Sequence, residues 1–301
     1  MSTDLEQLLR EGISRLTAEA KVPPGLTDRA RRHVARRKSI IAAAAGGAAT
    51  LAAVAATLIM LLGNAVGVSP AAVRLLAKIA TVAERQPSAQ VRSNQFWYIK
   101  SWVSYSVCNG GSANSKCVLE KPHERQIWQS VSNQCRTGLL REDGQDTRLT
   151  FSSNYLRCPY RGGMNDPTYR FLQSLPTDPH TLLSLIEREM NGQQPMPQEA
   201  FTTIGDLLRE TIAPPRVSAA LYRAAALIPG VTVVANATDA IGRHGIAVAI
   251  TDNGVRSEWI FSKQTLLYLG ERDINVADGS INGVTAVLQR AFVNHAGQIP
   301  G

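Results

Sequence analysis

The residues that could support catalysis are few and lie far apart in the sequence. The chain contains five histidines, and His123 with Glu124 begins the His-Glu-x-x-His pattern of zinc proteases, but position 127 is an isoleucine. The acidic segment 142–146 could bind a cation, yet its glycine favours a solvent-exposed turn. The nucleophile-elbow, P-loop and dinucleotide-binding patterns do not occur. We therefore predict that the chain is not an enzyme and has no catalytic residue, no cofactor and no metal site.

Cysteines form the second group of reactive residues. Their even number is typical of disulfides formed in an oxidising compartment, although the sequence leaves three connectivities open. The favoured pairs are Cys108 with Cys117, which would close the loop 109–116, and Cys135 with Cys158. No Cys-x-x-Cys pair occurs, which disfavours a zinc site. Reduced, buried cysteines remain the alternative.

Aromatic residues concentrate in the segments 95–107 and 124–131. Because side chains alternate along a strand, Trp97 and Trp102 are expected on opposite faces of the first segment. One face would belong to the core, and the other could bind a hydrophobic ligand or a protein. Trp97, Trp102 and Trp128 are therefore the candidate binding surface, with core packing as the alternative for each.

The segment 239–245, with sequence DAIGRHG, resembles a reactive site in composition. Its aspartate, arginine and histidine are separated by Gly242, and Gly245 follows. Glycine readily takes the positive φ that tight turns require. We predict a turn between two strands here and not a site.

The first long hydrophobic stretch of the sequence predicts a membrane span. No charged residue occurs from 39 to 73, and 40–62 is apolar apart from two threonines. As a helix this stretch would be about 35 Å long, enough to cross a hydrocarbon core of roughly 30 Å. A mean hydropathy of −0.09 excludes a polytopic membrane protein. A buried core helix and a cleaved signal peptide are disfavoured by the length of the run and of the segment before it.

Charge sets the orientation of this span. The chain has 32 Lys and Arg against 24 Asp and Glu, which gives a net charge of +8, and basic residues crowd the segment 29–38. After the span, Arg74 is the first basic residue. The cytoplasmic flank of a span carries the excess of Lys and Arg, so the N-terminus is expected inside the cell. We predict a single-pass cell-membrane protein with an extracytoplasmic C-terminal domain.

Three regions follow from this topology: a cytoplasmic tail 1–38, the span with its exit 39–68, and an extracytoplasmic domain 69–301. Apolar residues spaced three and four apart within residues 4–20 predict an amphipathic helix that could bind a cytoplasmic regulatory protein; they are Leu5, Leu8, Leu9, Ile13 and Leu16. A tail that only sets topology is the alternative. Nucleic-acid binding is disfavoured, because arginines beside a membrane pair with the lipid bilayer.

The domain 69–301 has strand patterns at both ends and helix patterns in the middle. Short turns such as Asn253-Gly254 join the late strands, which must therefore be antiparallel. The predicted fold class is α+β: one N-terminal transmembrane helix followed by an antiparallel sheet domain with a central group of helices. The predicted helices are 73–84, 180–190, 198–212 and 215–227, and the predicted strands are 95–107, 124–131, 136–141, 148–151, 231–235, 245–251, 255–262, 266–272 and 283–293.

Five segments carry a resemblance: LLREGISRLTAEAKVPPGL in the tail, then FWYIKSW, FLQSLPTDPHTLL, LYRAAALIPGVTVVANATDAIGRHGIAVAI and WIFSKQTLLYLGERDI. Together they resemble a family of uncharacterised actinobacterial single-pass membrane proteins often encoded near extracytoplasmic-function sigma factors. The outer domain is also loosely similar to lipoprotein-carrier-like and anti-sigma-binding sensor domains. The tail has one histidine and no cysteine, unlike zinc-type anti-sigma factors.

The resemblance implies a signalling association and no catalytic residue. We therefore expect a non-enzymatic protein whose extracytoplasmic domain senses or binds in envelope signalling linked to sigma-factor regulation. The alternative is a membrane-tethered binding or carrier module for a hydrophobic, lipid-like ligand.

Overall fold

The computed structural model describes residues 67–108, 117–132, 138–149, 162–189 and 196–301. The helices are α1 (Pro70–Glu84), α2 (Tyr169–Ser174), α3 (Pro179–Glu189), α4 (Pro197–Glu210) and α5 (Pro215–Ala225). The strands are β1 (Phe96–Cys108), β2 (Cys117–Leu119), β3 (His123–Ser130), β4 (Gly138–Glu142), β5 (Gln145–Leu149), β6 (Thr232–Thr238), β7 (His244–Asp252), β8 (Val255–Ser262), β9 (Tyr268–Asn275) and β10 (Ile281–Val293).

The described strands form one antiparallel sheet in the order β5-β4-β3-β1-β10-β9-β8-β7-β6, and β2 pairs with the far end of β1. This order confirms the predicted antiparallel sheet, in which a central group of helices in the sequence separates the early strands from the late strands. Asn253 and Gly254 both have positive φ, as a tight hairpin between β7 and β8 requires. The sequence did not predict β2 and α2, because three and six residues are too short to show a period.

The helices cover one face of the sheet, which we call the inner face. The main core joins α1, α3, α4 and α5 to inner-face residues of β7 and β8 such as Val248 and Phe261. A smaller core on the same face contains Trp97, Ile99 and Ile127 and contacts α2. We call the opposite side the outer face. Its best-buried part carries Tyr98 and Trp128.

The ladder between β9 and β10 runs only from Arg272 to Ile274 on β9, and beyond Arg272 the two strands have a further side-chain connection. The turn between β6 and β7 supplies it. Arg243 donates from Nη2 to the carbonyl oxygens of Leu269 on β9, at 2.9 Å, and Val287 on β10, at 3.0 Å. Arg243 therefore bridges the two strands where their ladder has ended.

Asp239 holds this arginine in place. Its buried carboxylate accepts from Nε of Arg243 at 2.6 Å and from the backbone N–H groups of Arg243 and Ile241. Gly242 has a φ of 85°, which confirms the predicted turn over 239–243, whereas His244 and Gly245 already belong to β7. The aspartate and arginine of this turn connect strands.

Among the residues that the structure describes, no helix combines the length and apolarity needed to cross a membrane. The predicted span 40–62 and the predicted tail helix within 4–20 lie outside the described residues.

We expect Arg243→Lys to lower the free energy of unfolding by about 1–3 kcal/mol, because an ammonium group cannot bond Asp239 and both carbonyls at once. Urea unfolding followed by circular dichroism measures the change. Arg148→Lys, at an exposed position of the edge strand β5, is the control and should leave the free energy of unfolding nearly unchanged. Equal stability of the two variants would contradict the bridging role.

Candidate functional site

A cluster of charged residues lies on the inner face where α4 ends. Arg125 of β3 pairs with Ser101 of β1, two positions along from the Ile127–Ile99 pair. Strand alternation therefore places Arg125 on the same face as Ile127, which belongs to the inner core. An arginine in this position needs partners, because an unpaired buried charge is costly.

Helix α4 brings the partners. Its side chain Phe201 stacks on Trp259 of β8 with ring centroids 3.8 Å apart. At Gly205 a Cβ atom would lie 2.5 Å from Nε1 of Trp259, so only glycine allows the helix this close to the sheet. The stacking fixes the first turns of α4 against β8, and the last turn then lies near β3 and β9.

Glu210 is the centre of the resulting ionic cluster, which comprises Arg125, Asp206, Arg209, Glu210 and Glu271. Its carboxylate accepts from Nη1 of Arg125 at 2.9 Å and from Nε of Arg209 at 2.8 Å. Arg209 also pairs with Asp206 at 2.9 Å and with Glu271 of β9. The ionic cluster therefore ties the end of α4 to both β3 and β9.

The two arginines control the ionisation of Glu210. Burial acts to raise the pKa of its carboxyl, but the charges and hydrogen bonds of Arg125 and Arg209 outweigh burial and lower that pKa to about 2. The pKa of Arg209 is raised despite burial, because Asp206 and Glu210 stabilise its charged form. Glu210 and the two arginines that bind it are thus charged at neutral pH.

A third arginine completes the support of α4. Arg290 of β10 donates to the carbonyl oxygen of Leu208 at 2.6 Å, and its guanidinium lies 5.4 Å from the centre of the Tyr268 ring. A cation at the C-terminus of a helix is favourable because the last carbonyls carry a partial negative charge. The ionic cluster and Arg290 therefore hold a helix in position, and they do not place a nucleophile beside a base.

The second notable feature is an arm that extends β1 beyond its pairing with β3. We call residues 104–108 and 117–121 the disulfide arm. Cys108 and Cys117 face each other across β1 and β2 and form a disulfide, so the favoured pairing of these two is confirmed. Cys135 and Cys158 lie outside the described residues.

Glu120 fixes the root of the disulfide arm. Its backbone N–H donates to the carbonyl of Tyr105 at 2.9 Å, its carbonyl accepts from the Ser104 hydroxyl at 2.7 Å, and its carboxylate accepts from the N–H of Tyr105. Beyond this root the arm exposes Val107 (42%) and Val118 (65%), which are paired opposite each other. A rigid two-stranded support thus presents apolar side chains to the exterior.

His123 lies immediately after the arm, where β3 begins. Its Nδ1 is 3.2 Å from the carbonyl oxygen of Lys121, and its Nε2 is 3.1 Å from Oε1 of Glu142 on β4. Burial acts to lower the pKa of His123, but these hydrogen bonds and the charges of Asp143 and Glu142 together raise that pKa. The described residues contain no group of three potential ligands that could hold a metal ion.

The three candidate tryptophans do not form a common surface. Trp97 is fully buried on the inner face, whereas Trp128 is fully buried on the outer face, beside Tyr98 and under the C-terminal segment, where Gln298 accepts from its indole N–H at 2.7 Å. Trp102 is half-buried on the outer face. Trp97 and Trp128 therefore cannot serve as a binding surface in this structure, because packing removes both from solvent. Any contact of Trp102 with a partner stays a prediction.

Sequence reasoning missed the ionic cluster, although part of its signal was present. Alternation through His123, Arg125 and Ile127 sets two ionisable residues on the same side as an apolar one, which indicates a buried charge. Nothing in the sequence indicated Glu210 as the partner, because 85 residues separate it from Arg125. The sequence did not indicate the exposed valines of the arm, because Val107 follows the pattern of the strand 95–107 and Val118 lies in β2, which is too short to show a period.

No family model matches this chain, and no curated protein matches it. Solved structures of MucB are weakly similar. A chain of the Pseudomonas aeruginosa MucA/MucB complex is 13% identical to this protein. The match covers 76% of this protein's chain and 58% of the other chain, with a TM-score of 0.26. MucB in complex with MucA(peri) is 13% identical over 73% of this chain and 55% of that chain, with a TM-score of 0.23.

MucB alone is also 13% identical, over 77% of this chain and 61% of that chain, with a TM-score of 0.25. In all three comparisons the match covers less than two thirds of the MucB chain. TM-scores this low define neither a family nor a function for this chain. The resemblance to an actinobacterial family therefore stays a prediction.

We expect Glu210→Gln to lower the free energy of unfolding at neutral pH by about 2–3 kcal/mol, because Arg125 and Arg209 lose their shared counter-charge. Since the folded-state pKa of Glu210 lies below 4.5, its contribution is present above pH 4.5 and lost as the pH falls toward about 2. The variant should therefore lose less stability than the wild type between about pH 5 and about pH 3. Urea unfolding at several pH values measures both effects.

Glu84→Gln is the matched control, since Glu84 pairs with Arg223 at an exposed site. It should change the free energy of unfolding little. An acid dependence of Glu210→Gln identical to that of the wild type would show that the ionic cluster does not stabilise the fold.

His123 should make the free energy of unfolding depend on pH in the sense opposite to that of Glu210. Its folded-state pKa is raised above 6.5, so its contribution is fully present below pH 6.5 and is lost as the pH rises through the folded-state value. His123→Gln should abolish this decline, as measured by chemical unfolding at a series of pH values above 6.5. His295→Gln, at an exposed site, should retain it. A decline that persists in His123→Gln would assign the effect to another group.

Proposed function

We propose that this chain is a non-enzymatic envelope signalling protein. A single helix, 40–62, anchors it in the cell membrane, and the extracytoplasmic domain binds a protein through the disulfide arm. The tail segment 4–20 contacts a cytoplasmic regulatory protein. The signal therefore passes between two protein contacts on opposite sides of the membrane.

The disulfide arm is the observation that carries this proposal. Val107 and Val118 are exposed on strands braced by a disulfide and by three hydrogen bonds of Glu120. Exposed apolar side chains grouped on a polar surface are typical of protein-binding sites. A braced support loses little conformational entropy on binding, which favours affinity.

The link to sigma factors is supported by sequence. The segments FWYIKSW and FLQSLPTDPHTLL resemble proteins often encoded near extracytoplasmic-function sigma factors. FWYIKSW belongs to β1, the strand that continues into the disulfide arm, and FLQSLPTDPHTLL covers parts of α2 and α3. The resemblance thus includes the strand on which the proposed contact is built.

One group of charges on the inner face disfavours the alternative function, a carrier for a lipid-like ligand. The inner face beside β3 holds Arg125 and Glu210 as charged groups, and a hydrocarbon chain placed against them would remove their remaining hydration. A polar or protein partner carries no such cost. The carrier function stays a prediction of the sequence.

The test compares Val107→Asp/Val118→Lys, whose opposite charges can pair across the two strands, with the deletion of residues 1–26 in cells that produce the full chain. Both variants should change the same transcripts, because each breaks one of the two contacts on which the signal depends. The measurement is RNA sequencing against wild type and against a strain lacking the chain. The valines are exposed, so the double variant should fold normally.

Leu267→Asp is the control. Leu267 is as exposed as Val107 but lies in the turn before β9, at the opposite end of the strands. It should leave the transcripts as in wild type. Unchanged transcripts in both the arm variant and the tail deletion would refute the signalling function.

A further inference from the structure

The outward side of α1 is a basic stripe. Its other side is fixed in the main core by Ala72, Leu76, Ile79 and Ala80. Helical periodicity therefore places a second set of residues on the side of α1 that faces away from the core. These residues are all exposed: Arg74, Ala77, Lys78, Thr81 and the C-cap residue Arg85. From Arg74 to Arg85 the stripe is about 16 Å long.

Within the part of the chain that the structure describes, no carboxylate forms an ion pair with Arg74, Lys78 or Arg85. Glu84 is the only acidic residue of α1, and its carboxylate is bound by Arg223 of α5 at 2.5 Å. Arg216, at the start of α5, is exposed and adds a further positive charge that acts on Glu84. The stripe and its surroundings on α5 therefore carry an excess of positive charge.

The N-terminal end of the stripe is apolar. Val68, which precedes the N-cap Ser69, is 39% exposed, and Val73, in the first turn of α1, is 38% exposed. Residues 63–69 separate α1 from the end of the predicted span at Leu62. Seven residues reach at most about 25 Å, so the helix must begin close to the membrane surface if that span is inserted.

We propose that the stripe of Arg74, Lys78 and Arg85 binds the phosphates of anionic lipids, with Val68 and Val73 entering the headgroup layer. The proposal rests on the membrane anchor of the proposed function. Each basic residue near an anionic bilayer contributes attraction, and apolar neighbours add to it by burial. α1 would then lie against the bilayer and fix the orientation of the sheet relative to it.

The test uses the full chain in nanodiscs of phosphatidylcholine, alone or mixed with phosphatidylglycerol. The reactivity of Lys78 toward an amine-acylating reagent, read by mass spectrometry, reports whether its ammonium group is covered. Anionic lipid should slow the acylation of Lys78 about threefold or more, and salt near 1 M, where the Debye length is about 3 Å, should restore it. Lys121, on the disulfide arm, is an exposed internal control whose reactivity should not change.

Arg74→Glu/Arg85→Glu keeps Lys78 but reverses the charge on both sides of it. The protection of Lys78 should disappear in this variant while its circular dichroism stays that of the wild type. Equal reactivity of Lys78 in the two lipid compositions, in a chain that has entered the nanodiscs, would overturn the lipid contact and leave the anchor intact. A chain that does not enter nanodiscs would overturn the anchor and the lipid contact together.

Discussion

The structure depends on the way α4 spans the inner face of the sheet. Its first half is pressed on β8 by the stacking of Phe201 on Trp259. Its last turn is held by charge, because Glu210 bridges Arg125 of β3 to Arg209, and Arg209 reaches Glu271 of β9. Removal of one partner from such a buried pair is strongly destabilising, so the cluster acts as a single unit.

This constraint explains where the fold can present a partner surface. The inner face is covered by helices over β7 and β8, and by the ionic cluster beside β3. On the outer face, the C-terminal segment covers Trp128 through the carbonyl of Gln298. The disulfide arm continues beyond the β1–β3 pairing, and its valines therefore stay exposed.

Local patterns predicted the elements well. The strand 255–262 matches β8 at both ends, and the turn predicted for 239–245 occupies 239–243, with Gly242 at positive φ and β7 beginning at His244. The odd spacing of Trp97 and Trp102 correctly separated them onto two faces. These outcomes follow from short-range periodicity and backbone preference, which a sequence displays directly.

Properties that depend on which strands pair could not be predicted in the same way. The burial of Trp128 requires the C-terminal segment to cross the outer face, and the role of Arg243 requires the β9–β10 ladder to end at Arg272. The bridge of Glu210 requires α4 to end beside β3. Each is a contact between distant parts of the chain, set by register and packing that no local pattern contains.

We propose that one helix anchors this domain in the envelope, with the disulfide arm outside the cell. Treatment of intact cells with a membrane-impermeant protease, followed by non-reducing mass mapping of the Cys108–Cys117 peptide, tests that claim directly. We predict that the chain sediments with membranes, that its C-terminal domain is cleaved from outside, and that the two cysteines are recovered as a disulfide. A protease-protected chain in the cytosolic fraction with free thiols at both positions would contradict it.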